Sequence, residues 1–150
     1  SHFRKDISEH GDRAPAIMII EDELDVLLTY EVLLTQQGFN VYAFSDPRQA
    51  LSEFVKNNHN IDLVISDIRM KSINGIQLYR ELKAIAPDTK IIFISALDAA
   101  PELASALPGF KIENLIAKPV DQAKLTKTIQ AALGKASHTL EAGLKQQTYN

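Results

Sequence analysis

Short apolar runs alternate along the chain with longer segments in which apolar residues recur every three or four positions. A continuous apolar run of strand length is typical of a strand buried on both faces, and the longer spacing is typical of an amphipathic helix. The pattern predicts strands at 17–20, 40–44, 62–66, 90–95 and 112–117. It predicts helices between and after them, at 24–37, 47–56, 76–85, 99–107 and 121–133.

Local signals mark several ends of these elements. Gly38 is placed to end the first helix, and Asp46 before Pro47 gives the second helix a capping side chain and a proline at its first position. The fifth run is more polar than the others, which suits an edge strand. Strands that alternate with helices form a parallel sheet covered on both faces, so the predicted fold class is α/β.

Polar residues stand where four of the predicted strands end: Glu21, Asp22, Asp67, Ser95 and Lys118. In an open parallel sheet, the carboxyl ends of the strands form the ligand-binding edge, so we expect these side chains to converge there. Taken singly, each residue also suits a structural role, as part of an acidic turn, as a helix cap, or as a lysine whose stem covers apolar surface.

Taken together, the strand-end residues suit one kind of chemistry. Three carboxylates in close proximity repel one another and need a cation to remain ionised. Lys118 supplies one positive charge, and a site with only oxygen ligands suits Mg²⁺, which binds one or two carboxylates together with phosphate oxygens. Such a site predicts phosphoryl transfer in which Asp67 attacks phosphorus and Ser95 donates a hydrogen bond to the transferred group.

Composition narrows the choice of functions. The chain has 150 residues, a formal net charge of −3 and no cysteine, which excludes disulfides, thiolate metal sites and a cysteine nucleophile. Scattered lysines and arginines form no basic stripe for a nucleic acid. No apolar run is long enough to span a membrane and no secretory signal is present, so we expect a cytoplasmic protein. Surface positions are expected for the four histidines, His2, His10, His59 and His138.

Four motifs together resemble the receiver domain of two-component response regulators. They are Ile-Met-Ile-Ile-Glu21-Asp22-Glu23, Ser-Asp67-Ile-Arg-Met70 with the Asn74-Gly75 turn, Ser95-Ala96 and Lys118-Pro119. The resemblance covers about residues 16–134, and the motifs agree with the family in order, interval and strand-end placement. It implies a flavodoxin-like (βα)5 doubly wound parallel sheet with strand order 2-1-3-4-5.

The resemblance also implies a role for each matching residue. Asp67 matches the phosphoacceptor, Lys118 matches the lysine that pairs with the phosphoryl group, and Ser95 matches the hydroxyl that moves towards it. The implied Mg²⁺ ligands are Asp22, Asp67, the main-chain carbonyl of Arg69 and, through a coordinated water, Glu21. The implied structural residues are Gly75 and Pro119, the latter after a cis peptide bond.

Two positions depart from the family pattern. Lys71 stands where a proline often follows the methionine, and we expect it to loosen the loop after Asp67 without changing the phosphorylation chemistry. Leu115 stands three positions before Lys118, where the family often has an aromatic switch residue. We therefore expect the coupling between Ser95 and the outer face to be weaker or different.

The resemblance implies a phosphoacceptor switch that catalyses only its own phosphorylation and dephosphorylation. The predicted organisation is a flexible N-terminal segment (1–15), the receiver domain (16–134) and a tail or the start of a linker (135–150). The implied partners are a sensor histidine kinase or phosphotransfer protein, a downstream effector or output domain and, after phosphorylation, a second copy of the chain. No nucleic acid and no membrane are expected as direct partners.

Three other functions compete with this interpretation. A flavodoxin-like carrier shares the fold, but the acidic residues after the first strand would repel a flavin phosphate. A phosphatase with an aspartyl nucleophile carries that residue after its first strand, whereas Asp67 follows the third. A degenerate receiver that acts only as an interaction module would not need the complete set of acids, hydroxyl and lysine.

Overall fold

The predicted alternation of strands and helices is confirmed in a computed structural model of the chain, which describes residues 13–134. The strands are β1 (Ala16–Ile20), β2 (Asn40–Phe44), β3 (Leu63–Asp67), β4 (Ile91–Ser95) and β5 (Leu115–Ala117). The helices are α1 (Leu24–Gln36), α2 (Pro47–Asn57), α3 (Gly75–Ile85), α4 (Ala100–Ala106) and α5 (Gln122–Leu133). The predicted N-terminal segment as far as residue 12, the predicted tail (135–150), His2, His10 and His138 lie outside the described residues.

The five strands form one parallel sheet in the order β2-β1-β3-β4-β5, which confirms the predicted fold class. Strands β1, β3 and β4 lie inside the sheet, and every residue of these three strands is buried. Their continuous apolar runs therefore reflect burial on both faces. None of the helices in the described part of the chain is long and apolar enough to cross a membrane.

Alternate residues of each strand feed two separate cores. In β1, Met18 and Ile20 join the core under α2, α3 and α4, whereas Ile17 and Ile19 join the core under α1 and α5. This division follows from the two-residue period of a strand. Three helices cover one face of the sheet and two helices cover the other. The two cores therefore lie on opposite faces of the sheet.

The fifth strand is shorter than the sequence predicts. Residues 112–114 form a 3₁₀ turn closed by a hydrogen bond from the Asn114 N–H to the Lys111 carbonyl, and only Leu115–Ala117 pair with β4. The prediction of a strand from Ile112 is therefore wrong. Glu113 and Asn114 are polar and Ile112 is exposed, so this segment gains nothing from a place in the sheet. The predicted edge position of β5 is confirmed.

Several helix ends are as the local signals predict. The Asp46 side chain accepts a hydrogen bond from the Arg48 N–H at 2.9 Å, with Pro47 at the first helical position. Gly38 adopts a φ of +95°, a left-handed conformation that glycine adopts readily after a helix. Asn74 differs from the prediction of a tight turn, because its side chain caps α3 by accepting a hydrogen bond from the Ile76 N–H at 2.7 Å.

Candidate functional site

Polar residues are almost absent from the interior except at the carboxyl edge of the sheet. Among residues 13–134, the buried polar or charged side chains are Glu21, Ser66, Asp67 and Ser95. Strand register brings them together, because Ile20 lies beside Ser66 and Asp67 lies beside Ile94 in adjacent parallel strands. A cluster of buried polar groups in an apolar core is costly unless its members are paired, so their partners are informative.

Lys118 provides the charge that pairs with two of these groups. Its Nζ lies 2.9 Å from Asp67 Oδ2 and 3.3 Å from Glu21 Oε1. The edge strand positions this side chain, because the Lys118 N–H donates a 2.9 Å hydrogen bond to the Ser95 carbonyl and continues the pairing of β5 with β4. The Lys118–Pro119 peptide bond is cis, as the resemblance implies.

Both oxygens of the Asp67 carboxylate have donors. Oδ1 accepts hydrogen bonds from the Ile68 N–H at 2.7 Å and the Arg69 N–H at 3.3 Å, and Oδ2 faces the Lys118 ammonium. The side chain is buried, with 7% of its surface exposed. The main-chain donors and the lysine thereby orient Asp67 in a fixed position.

The charges of the site shift two pKa values. Burial raises the pKa of the Glu21 carboxyl, and the charge of Asp67 adds to that effect, although the Glu23 N–H and Lys118 act against it. Burial alone would lower the pKa of the Lys118 ammonium, but its hydrogen bond to Asp67 and the charges of Asp67 and Glu21 outweigh burial and raise it. Lys118 is therefore a stable cation at neutral pH.

Asp22 has a different partner from the other two carboxylates. Its Oδ2 accepts a 2.8 Å hydrogen bond from the Lys71 N–H, in the loop between β3 and α3. Within residues 13–134, no three histidine or carboxylate side chains are grouped closely enough to hold a metal ion. Glu21 and Asp67 share Lys118 while Asp22 takes a separate main-chain donor, and the convergence of all three carboxylates stays a prediction.

The remaining candidates lie around this centre. Ser95 is 2% exposed at the end of β4, and Leu115 is buried in β5. The side chain of Arg69 points away from Asp67 to Asp98 and Glu102, with nitrogen–oxygen distances of 3.4 and 3.8 Å. Both ion pairs are exposed, and pairs of this kind contribute at most about 1 kcal/mol to stability.

Gly75 is where the main chain of α3 meets the phosphoacceptor candidate. A Cβ added at Gly75 would overlap the Asp67 carbonyl oxygen and lie 2.7 Å from Ile68 Cα. The Gly75 N–H also donates a 2.7 Å hydrogen bond to the Ile68 carbonyl. The absence of a side chain here, rather than a positive φ, allows the start of α3 to pack against the end of β3.

The donor set fits Mg²⁺ even though the carboxylates are not grouped. Through its bond to Lys71, Asp22 lies against the loop that begins after Asp67, so two carboxylates flank the same segment. One or two carboxylates with further oxygen ligands are what Mg²⁺ prefers. When bound, the ion would neutralise phosphoryl oxygens during transfer.

Comparison with known proteins decides the family. The sequence profile described as the response regulator receiver domain matches residues 17–130. The chain belongs to this family. The general function of a receiver domain is to accept a phosphoryl group on an aspartate, in two-component signalling.

Relatives and solved structures agree with that assignment. The transcriptional regulatory protein ZraR of Salmonella typhimurium is 30% identical over 127 residues, which cover 85% of this chain and 27% of ZraR. The chain spans about a quarter of the length of the curated relatives it matches. A response regulator receiver protein from Sinorhizobium medicae is 34% identical with a TM-score of 0.70, covering 82% of this chain and 97% of that chain.

A third comparison concerns a complex. The structure of CheX–CheY with BeF₃ and Mg²⁺ from Borrelia burgdorferi is similar to this receiver domain, with 25% identity and a TM-score of 0.70. The similarity covers 83% of this chain and 92% of that chain.

Some contacts of the site were missed by the sequence analysis. The Ser66 hydroxyl donates a 2.8 Å hydrogen bond to the Asp67 carbonyl, and a polar residue inside an otherwise apolar strand was the available signal. The Lys71 N–H is a main-chain group, so no residue pattern indicated that it binds Asp22. The pairing of Arg69 with Asp98 and Glu102 depends on how the loop after β3 packs against the start of α4.

Proposed function

We propose that Asp67 is the phosphoacceptor of this receiver domain. The observation that supports this most directly is the pairing of the buried Asp67 carboxylate with Lys118 at 2.9 Å, with two main-chain N–H groups on its other oxygen. A carboxylate oxygen of Asp67 attacks phosphorus, and the bond from phosphorus to the donor's leaving atom breaks as the new bond forms. The leaving atom keeps the electron pair, and Asp67 becomes an acyl phosphate.

Lys118, Ser95 and the carboxylates divide the remaining tasks in this proposal. The Lys118 ammonium pairs with the transferred phosphoryl oxygens, and Ser95 donates a hydrogen bond to one of them. Asp22, Asp67 and the Arg69 carbonyl would hold Mg²⁺, and Glu21 would contribute through a water. Water then attacks the acyl phosphate, which releases inorganic phosphate and restores the carboxylate, so the domain catalyses only its own phosphorylation and dephosphorylation.

An exposed apolar stripe on α1 supports a protein as the phosphodonor. Leu24, Leu28 and Val32 are 58%, 48% and 55% exposed, and their spacing of four residues places them on one side of the helix. The stripe begins two residues after Asp22, next to the acidic edge of the sheet. We infer that a sensor histidine kinase or phosphotransfer protein packs an apolar surface there while its phosphohistidine reaches Asp67.

Placing a charge in the stripe should separate the two kinds of donor. Leu28→Asp should lower the rate of transfer from a histidine kinase about tenfold, because a charge buried in an interface costs binding energy. Its labelling by acetyl phosphate should be unchanged. The kinase used is one that labels the wild-type domain in a screen of purified, autophosphorylated kinases. Val55→Asp is the matched control, since Val55 is an exposed apolar residue on α2 with an exposure of 57%, close to that of Leu28. Equal transfer to wild type and Leu28→Asp would contradict the assignment.

Other parts of the interpretation remain predictions. They are the cytoplasmic location, the receiver boundaries at 16 and 134, the effector or output domain, and a homodimer formed on phosphorylation. The match to transcriptional regulatory proteins favours an output domain in the whole protein, because this chain matches only part of their length.

Acetyl phosphate labelling tests the proposed function. With Mg²⁺ present, intact mass should show one added phosphoryl group, which hydroxylamine removes because acyl phosphates are reactive. Chelation of the metal should prevent labelling, and peptide mapping should place the group on the peptide that contains Asp67. Absence of labelling under all conditions would favour the degenerate interaction module. A flavin that copurifies with the chain would favour the carrier instead.

A further inference from the structure

One hydrogen bond links the two loops that flank the site. The Lys71 N–H donates to Asp22 Oδ2 at 2.8 Å, across 49 positions of sequence. Asp22 follows β1, and Lys71 lies in the loop between β3 and α3, four residues after Asp67. The lysine side chain is exposed, so the contact depends on its main chain.

This contact requires a residue other than proline at position 71. Proline has no main-chain N–H and cannot donate this bond. The sequence analysis expects Lys71 to loosen the loop without changing the phosphorylation chemistry. The hydrogen bond to Asp22 speaks against the first part of that expectation, and the second part stays a prediction. The N–H that proline would remove ties the loop to a carboxylate of the site.

A bond to one carboxylate oxygen restricts the orientation of the other. A carboxylate accepts several hydrogen bonds, so the Lys71 N–H can hold Oδ2 while Oδ1 remains available to a cation. A hydrogen bond from a main-chain N–H to a charged acceptor is stronger than one between neutral groups. The β3–α3 loop sets the position of the Lys71 N–H. Removal of groups that orient metal ligands in this way commonly changes metal affinity about 10- to 100-fold.

We propose that the Lys71 amide is a positioning group for Asp22, which holds this carboxylate ready for a divalent cation and couples cation binding to the β3–α3 loop. The proposal rests on the proposed function, because it takes Asp22 as a metal ligand. The direct consequence is that cation affinity depends on the N–H at position 71 and not on the lysine side chain.

Mg²⁺ titration of the unphosphorylated domain tests the proposal. Lys71→Pro should weaken Mg²⁺ binding about tenfold, measured by calorimetry or by amide chemical shifts. Lys71→Ala, which keeps the N–H, should bind as the wild type does. Because proline also restrains Met70, an amide-to-ester replacement at residue 71 provides a second variant that removes the N–H alone. The ester should reproduce the loss of affinity.

Hydrogen exchange supplies a readout that does not involve metal. In the metal-free domain, the Lys71 amide should exchange slowly in the wild type and faster in Asp22→Ala, which removes its acceptor. Wild-type or tighter Mg²⁺ binding by the ester variant would overturn the proposal, since the N–H would then be neutral or a competitor of the cation. Undiminished Mg²⁺ binding by Asp22→Ala would instead remove Asp22 from the ligand set and overturn the premise taken from the proposed function.

Discussion

Asp67→Asn should accept no phosphoryl group from acetyl phosphate, with a labelling rate at least about 10³-fold below that of the wild type. The amide of asparagine is not a nucleophile, whereas the Asp67 carboxylate is one and is held in place by Lys118 and two main-chain N–H groups. The variant should remain folded, because its side-chain oxygen can still accept from the Ile68 N–H and Lys118 keeps Glu21 as a partner. Intact mass over a time course measures the rate.

Asp88→Asn is the matched control for the loss of one carboxylate. Asp88 is exposed in the loop between α3 and β4, at the opposite edge of the sheet, and its replacement should leave labelling unchanged. If Asp67→Asn were labelled at the wild-type rate, another residue would be the acceptor. Peptide mapping of that product would then identify it.

Gly75→Ala should destabilise the domain by about 2–3 kcal/mol, the upper part of the range for overpacking a tight contact. The added Cβ would overlap the Asp67 carbonyl oxygen, which is main chain and also accepts the Ser66 hydroxyl. Relief would require α3 to move away, and that would break the bond from the Gly75 N–H to the Ile68 carbonyl. In urea unfolding, the midpoint should fall by about 1–2 M at an unchanged slope.

Gly109→Ala controls for the change in backbone entropy. A Cβ at Gly109 would have no atom within 4 Å, and this residue has no positive φ, so alanine should be neutral or stabilising by up to about 1 kcal/mol. Equal midpoints for the two variants would show that the Gly75 contact relaxes without cost. Because the clash is with Asp67 and Ile68, the labelling rate should fall only in Gly75→Ala.

The different outcomes for Lys71 and Leu115 show how far a departure from a family pattern can be interpreted. Lys71 was interpreted as a missing proline, yet the structure gives its N–H a specific acceptor in Asp22. Leu115 is buried at 7% exposure and lies in the same core as Phe93, Tyr79 and Phe110. The expectation that Leu115 makes the coupling between Ser95 and the outer face weaker or different stays a prediction.

The sequence alone determined the architecture of this protein. Apolar runs of strand length can be satisfied only by burial on both faces, and alternation with helices makes the sheet parallel. That placed Glu21, Asp67, Ser95 and Lys118 at one edge before any distance was known, because side chains that end parallel strands share an edge. The elements it predicted less well were the polar start of the fifth strand and the turn at Asn74.

Only the tertiary structure decided how the polar groups pair. Whether Asp22 turns to the other carboxylates or to the Lys71 N–H depends on the path of a loop, and main-chain donors have no residue signature. The resemblance implied a structural role for Gly75, but the reason for it, a close contact with the Asp67 main chain, is not indicated by any local pattern. The physical reason is the same in both cases: hydrophobic periodicity is a local property of the chain, whereas hydrogen-bond partners and close contacts join residues that are distant in sequence.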